Sequence, residues 1–395
     1  MLVNRNIFYL VSFTITYTAL AYDVQLFNGI RNNFYLTFFI LLDFKFILSL
    51  SLGIFSIIKK TNKIYILFIF FLIYGILINI INYGSLSYAL FKILYINLCI
   101  LYFYYGIKQH SIKYFNYGLI LNALIVVYQY FAHQHLNISY KFWHISEIIG
   151  NNAVTVGASL WSSIFNPAIN AQNYLEFNGY KYAGLTNEPA YFSIIALMML
   201  LIIKNLKIRT KLLLIFSIIL SFSYVTAFSL IGFYLYKLID KFIIDKYLMF
   251  KISLISIFIL TIILTPILLT YGGTFQNRFY PIELYFSYYD IGKQIFGNGI
   301  MNIYIPEDYS NQSLQGSLTS QGLVGSLLSE VGAIGTFLYL TILLLIAKNT
   351  VDKNGLFLII IVSWTTGFLT MWPATIFILL ILMNNNELNV KSQNI

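Results

Sequence analysis

Apolar residues in this chain come in long blocks rather than in alternation. The blocks lie at roughly 7–22, 34–58, 64–82, 86–106, 112–132, 188–203, 212–223, 225–240, 252–270, 322–347, 355–371 and 373–384. A block of about 18 residues or more reads as a membrane-spanning helix, because its backbone must satisfy its own hydrogen bonds in lipid. A barrel would need short alternating strands, which these runs are not. The expected fold is therefore all-α: a polytopic integral membrane protein with about 12 transmembrane helices, forming one membrane domain over 1–395. The first block, Ile7 to Tyr22, has no A-x-A-like site after it, so it is expected to be a retained helix.

Charge gives the blocks an orientation. The short links Lys59–Lys63, Lys108–Lys113, Lys204–Lys211, Lys237–Lys251 and Lys348–Lys353 hold most of the basic residues. The positive-inside rule places such links in the cytoplasm. Both flanks of 212–240 then lie on one side, so that stretch is expected to be a hairpin of two crossings. With both termini cytoplasmic, 17 of the 24 Lys and Arg fall inside, and two long segments, 133–187 and 271–321, face outward as periplasmic loops. Loops of this length are usually functional or disordered. Trp143, Trp161, Pro167, Tyr280, Pro281 and Tyr285 make them poor candidates for disorder.

Composition adds little beyond this. The chain is 59% hydrophobic and 10% charged, with a mean hydropathy of +0.77 and a net charge of +10. The charge is mostly a topology signal, and without a soluble basic face no nucleic-acid partner is expected. The 33 Tyr and 35 Phe fit lipid-facing and interfacial positions. The single cysteine, Cys99, excludes an internal disulfide and reads as a buried apolar residue.

Candidate chemistry lies in and beside the two loops. The first loop ends in Lys181-Tyr-Ala-Gly-Leu-Thr-Asn-Glu188-Pro-Ala-Tyr-Phe192 and runs straight into a block. That combines a cation, a flexible glycine and a carboxylate at the positive end of a helix opened by proline. Asn187 and Glu188 could equally be plain helix caps. The second loop carries Arg278, a fork-shaped cation suited to phosphate oxygens or to a headgroup anchor, then Phe296-Gly297-Asn298-Gly299. Glu330 lies about two turns into the 322–347 block, where an ionisable residue is costly and calls for a partner such as Arg278 or Lys181. Asp43, Lys45 and Lys92 raise the same question, with an Asp43–Lys92 pair as the structural reading. His133 and His135 have no cysteine or carboxylate nearby, so neither a metal nor another cofactor is expected. His144 and Glu147 could share a helix face.

Four of these segments together resemble the Wzy-type O-antigen polymerase family. Lys181 to Phe192 resembles its R-x-x-G-x-x-x-E-P-S segment, with Lys in place of Arg. The Arg278 loop closing on Phe-Gly-Asn-Gly resembles its second Arg-bearing loop. Glu330-Val-Gly-Ala-Ile-Gly335 resembles its E-x-G-x-x-G helix start, and Thr226-Ala-Phe-Ser229 resembles its polar T-x-x-S turn. The order of the four also matches. The resemblance implies an inner-membrane glycosyltransferase that polymerises repeat units carried on undecaprenyl pyrophosphate, for O-antigen or capsule. It implies pyrophosphate binding by Arg278 and Lys181, and a general base at Glu188 or, second, at His144. Glu330, Gly297 and Gly299 would orient the site. Partners would be the lipid-linked oligosaccharide, the bilayer and a chain-length regulator protein. An O-antigen ligase shares the fold, but such enzymes carry further Arg and His in the second loop. A lipid-linked oligosaccharide flippase is the alternative from another class, kept open by Asp43, Lys45 and Lys92.

Overall fold

The computed structural model describes residues 24–27, 30–32, 63–82, 97–103, 112–136, 182, 184, 189–203, 206–221, 223–270, 273–299, 322–350, 352–366, 378–380 and 382. The blocks expected at 7–22 and 34–58, most of 86–106 and of 373–384, and nearly all of the first long loop lie outside these residues.

The described chain is mostly helical. Its helices are α1 (Lys63–Ile81), α2 (Ile112–Leu136), α3 (Pro189–Ile202), α4 (Ile208–Leu220), α5 (Tyr224–Asp240), α6 (Lys246–Leu269), α7 (Gly273–Ser287), α8 (Ile291–Phe296), α9 (Leu323–Ser326), α10 (Gly332–Asn349) and α11 (Lys353–Thr366). A π-helical segment, Leu327–Val331, joins α9 to α10. The expected blocks 64–82, 112–132, 188–203, 252–270 and 322–347 are helical over nearly all of their described residues, and 212–240 is two helices parted at Ser221 and Ser223. One departure from an all-α reading is a small antiparallel pair, β1 (Val24–Phe27) and β2 (Ile30–Asn32), with Val24 opposite Asn32. In sequence they flank Asn28-Gly29, the dipeptide that most favours a two-residue hairpin connection.

Among the described residues, three helical stretches are long and apolar enough to cross a membrane: Tyr114–Ala132, Lys246–Leu269 and Leu323–Asn349. Their outward faces are themselves apolar. On α6 the exposed residues include Ile252, Ile255, Ile259, Ile263 and Ile267. A helix that is apolar all round belongs in lipid rather than water. Asp245 caps α6 by accepting from Tyr247 N and Leu248 N at 2.9 and 3.1 Å, so the charge sits at the helix start and the apolar run follows. Pro266 lies within α6, and the hydroxyl of Thr265 bonds back to Thr261 O at 2.8 Å.

The chain divides into two compact units. The first comprises 1–51, 95–231 and 372–395; the second comprises 52–94 and 232–371. In the first, α2, α3 and α4 pack together, with Phe115, Phe192 and Leu214 buried. In the second, α1 lies along α10, and α6 lies along α7. Tyr236 stacks on Phe357 at 3.8 Å, and Phe279, Ile282, Leu284, Tyr285, Val324 and Leu328 form a core beneath α7. Trp364 closes one side of that core, its indole N–H donating to Thr261 Oγ1 at 2.7 Å.

Candidate functional site

The second unit holds Arg278, Gly297, Gly299 and Glu330 on elements packed against one another. Arg278 is half-buried on α7, a helix within the segment expected to be a long loop. α7 packs on α9 and on the π segment, and glycines make the approach possible. A Cβ at Gly325 would stand 3.2 Å from Arg278 O and 3.2 Å from Pro281 Cβ. A Cβ at Gly322 would be 2.7 Å from Trp364 O.

α8 follows α7 through an Asp290 cap, whose carboxylate accepts from Lys293 N at 2.8 Å. Tyr285 and Gln294 lock the two helices together. The Tyr285 hydroxyl donates to Gln294 O at 2.8 Å, and Gln294 Nε2 donates to Tyr285 O at 3.0 Å. Burial pushes the Tyr285 phenol above its ordinary value of 10.0. α8 then ends at Gly297 and Gly299, with φ of 83° and 101°, in the left-handed region that suits glycine.

This Phe-Gly-Asn-Gly turn docks, backbone to backbone, on the interrupted helix that carries Glu330. A carbonyl within a regular α-helix already accepts from the helix's own ladder, so a loop bonds to it most readily where that ladder is broken. The π segment and Gly332, at φ 63°, break it. Ser329 O accepts from Asn298 N at 3.2 Å and from Asn298 Nδ2 at 2.9 Å. Glu330 O accepts from Gly299 N at 2.7 Å. The fit leaves no room for side chains. A Cβ at Gly297 would lie 2.4 Å from Glu330 O, and one at Gly332 would lie 2.5 Å from Gly297 N. The glycines of F-G-N-G and of E-V-G-A-I-G are thus the two halves of one contact. Glu330 itself is buried.

A third element closes the contact. On α1, the Tyr74 hydroxyl lies 2.9 Å from Phe296 O and 3.2 Å from Val331 O, its single proton shared between the two sides of the joint. Asn82 Nδ2 donates to Gly297 O at 3.0 Å, and Asn79 packs where a Cβ on Gly299 would stand, 2.6 Å away. Sequence reasoning passed over Tyr74, Asn79 and Asn82. The available signal was three polar side chains within one apolar block, each needing a partner there.

In the first unit the anchors of the other motif are visible. Tyr182 N donates to Leu220 O at 3.2 Å, and Ser221 Oγ donates to Tyr182 O. The amide of Gln129 clamps Gly184 at both ends, accepting from Gly184 N at 2.9 Å and donating to Gly184 O at 3.1 Å. Gly184 has φ 63°, and a Cβ there would meet Asn122 Oδ1 at 2.0 Å. The motif glycine is therefore held by a buried backbone-like clamp on α2. Further on, Ser193 on α3 shares a 2.6 Å hydrogen bond with Thr226 of the Thr-Ala-Phe-Ser segment. Gln129 and Asn122 were also missed, again as polar positions in an apolar run. Lys181, Glu188, His144, Asp43, Lys45 and Lys92 lie outside the described residues, as do the side chains of His133 and His135.

Comparisons with protein-family models, with curated proteins and with solved structures found no match to this chain.

Proposed function

We propose that the protein polymerises lipid-linked polysaccharide repeat units at the periplasmic face of a bacterial inner membrane. The finer architecture of that reading is about 12 spans, cytoplasmic termini and periplasmic loops at 133–187 and 271–321. One observation supports it above the others. Two motifs far apart in sequence, Phe296-Gly297-Asn298-Gly299 and Glu330 to Gly335, meet in one glycine-lined joint beside the helix of Arg278. Motif glycines without such a joint would be ordinary turns.

In the reaction, a growing glycan leaves undecaprenyl pyrophosphate for an incoming repeat unit. The acceptor's hydroxyl oxygen attacks the anomeric carbon of the donor. A new C–O bond forms there, the bond to the pyrophosphate oxygen breaks, and the hydroxyl proton passes to a base. Arg278 and Lys181 are the groups to neutralise charge growing on the leaving pyrophosphate, which is where fixed cations lower a barrier most. Glu188 is the proposed base, with His144 as the second choice. Glu330 orients a cation rather than taking the proton. No cofactor is assigned, and a chain-length regulator is the expected protein partner.

The test is deletion of the gene in its own strain, with the surface glycan run on a gel before and after complementation. A lost ladder with a single repeat retained on the core supports polymerisation. Core with no repeat at all rejects it in favour of a ligase or flippase. The side on which lipid-linked units accumulate then separates those two.

A further inference from the structure

The short helix α8 turns its apolar side outward. Ile291, Ile295 and Phe296 are 74, 38 and 47% exposed. Its polar residues turn partly inward, Lys293 pairing with Asp290 at 3.8 Å and Gln294 exchanging hydrogen bonds with Tyr285. A helix in a water-facing loop would show the reverse. Phe286 and Tyr288, at the preceding bend, are exposed as well.

The neighbour of α8 indicates what covers this face. α8 packs on α10, and Gly332 is so close that a Cβ there would meet Ile295 O at 2.6 Å. The outward residues of α10 next to this contact are Ile334 and Phe337, both exposed, on the candidate span Leu323–Asn349. The apolar face of α8 therefore continues the outward face of a helix fit to cross a bilayer. Length fixes the depth. Counted back from Asn349, about 20 residues at ~1.5 Å each fill the ~30 Å hydrocarbon core and end near Glu330. Gly332, where α8 docks, thus stands at the boundary of the hydrocarbon, at the end of the span away from Lys348.

We propose that α8 is an interfacial anchor whose Ile291, Ile295 and Phe296 insert among phospholipid headgroups and the first acyl carbons. An amphipathic helix of this kind sits about 5–10 Å into that boundary. The Phe-Gly-Asn-Gly turn begins at Phe296, so the anchor sets the turn at headgroup level. If the proposed function holds, that is also the level of a lipid-linked pyrophosphate.

The experiment uses the full chain in lipid nanodiscs, with Cys99 replaced by alanine and one spin label at a time at positions 291, 295 and 296. Labels at Lys241 and at Ile263 serve as water and acyl references. Collision rates with oxygen and with a water-soluble nickel chelate are compared. At all three α8 positions, oxygen should be favoured over the chelate by about threefold or more relative to Lys241, with depths between the two references. Chelate access equal to that at Lys241 would overturn the inference, and low access to both reagents would overturn it too, by showing a protein surface over α8. An aqueous reading at Ile263 as well would take the membrane reading down with it; one confined to α8 would reject the anchor alone.

Discussion

Replacing Tyr74 with phenylalanine removes one oxygen atom and keeps the ring. That oxygen lies within hydrogen-bond distance of both halves of the glycine joint, at 2.9 Å to Phe296 O and 3.2 Å to Val331 O. A typical hydrogen bond contributes about 1 kcal/mol net, and a buried carbonyl left short of its donor costs about 1–3 kcal/mol. The Phe296 end lies near the surface, where water replaces the donor at little cost. The Val331 end is part-buried and carries most of the loss. The expected penalty is about 1–2 kcal/mol, which raises local opening of the joint roughly 5–30-fold. The readout is hydrogen exchange at the amides of Asn298 and Gly299, which bond to Ser329 O and Glu330 O. Tyr74→Phe should accelerate both and leave Gly184, in the other unit, unchanged. Unaltered protection at Asn298 and Gly299 would refute the idea that α1 holds the joint closed.

Other substitutions test neighbouring contacts. Gly184→Ala adds a Cβ 2.0 Å from Asn122 Oδ1 at a φ of 63°; it should cost more than about 1–2 kcal/mol and lower the thermal midpoint in detergent. Gln129→Leu removes both bonds to Gly184 and should destabilise by about 2 kcal/mol in the same assay. Trp364→Phe keeps a ring against Phe279 but loses the 2.7 Å bond to Thr261, for a loss of about 1 kcal/mol. Tyr285 gives a pH dependence. Its folded pKa is raised, so its contribution is intact below about pH 10, the unfolded value, and is lost as pH climbs toward the higher folded one. Tyr285→Phe should flatten the fall in thermal stability that sets in as pH rises above about 10.

Block length made the helices legible. An apolar run long enough to span lipid has few other stable forms, and α1, α2, α6 and the 323–349 helix lie where such runs do. The same reasoning misses helices that do not span. α7 contains Pro281, and α8 has only six residues with two polar ones among them, so neither rises above a loop by hydropathy. The π segment was invisible for another reason. Its sequence, Leu-Leu-Ser-Glu-Val, is compatible with an ordinary α-helix, and the break coincides with carbonyls that bond to a turn about 30 residues earlier in the chain, a pairing local sequence does not reveal. At the joint, the glycines were legible as motif positions but not their purpose. A glycine needed for close approach looks in sequence like one needed for a turn. Tyr74, Asn79, Asn82 and Gln129 could have been flagged as polar groups in apolar runs, though nothing in the sequence tells which backbone each one holds.

The most direct measurement of the central claim uses purified protein in proteoliposomes, supplied with lipid-linked repeat units extracted from the deletion strain. Products are resolved on a gel for the wild type and for Arg278→Ala. The account predicts a ladder of multiple repeats from the wild type, with a loss of at least about tenfold in ladder yield for the variant at equal folded protein, since a fixed charge at the leaving group acts on the rate. No ladder from well-folded wild-type protein would contradict the polymerase reading, and an undiminished ladder from Arg278→Ala would contradict the role given to that arginine.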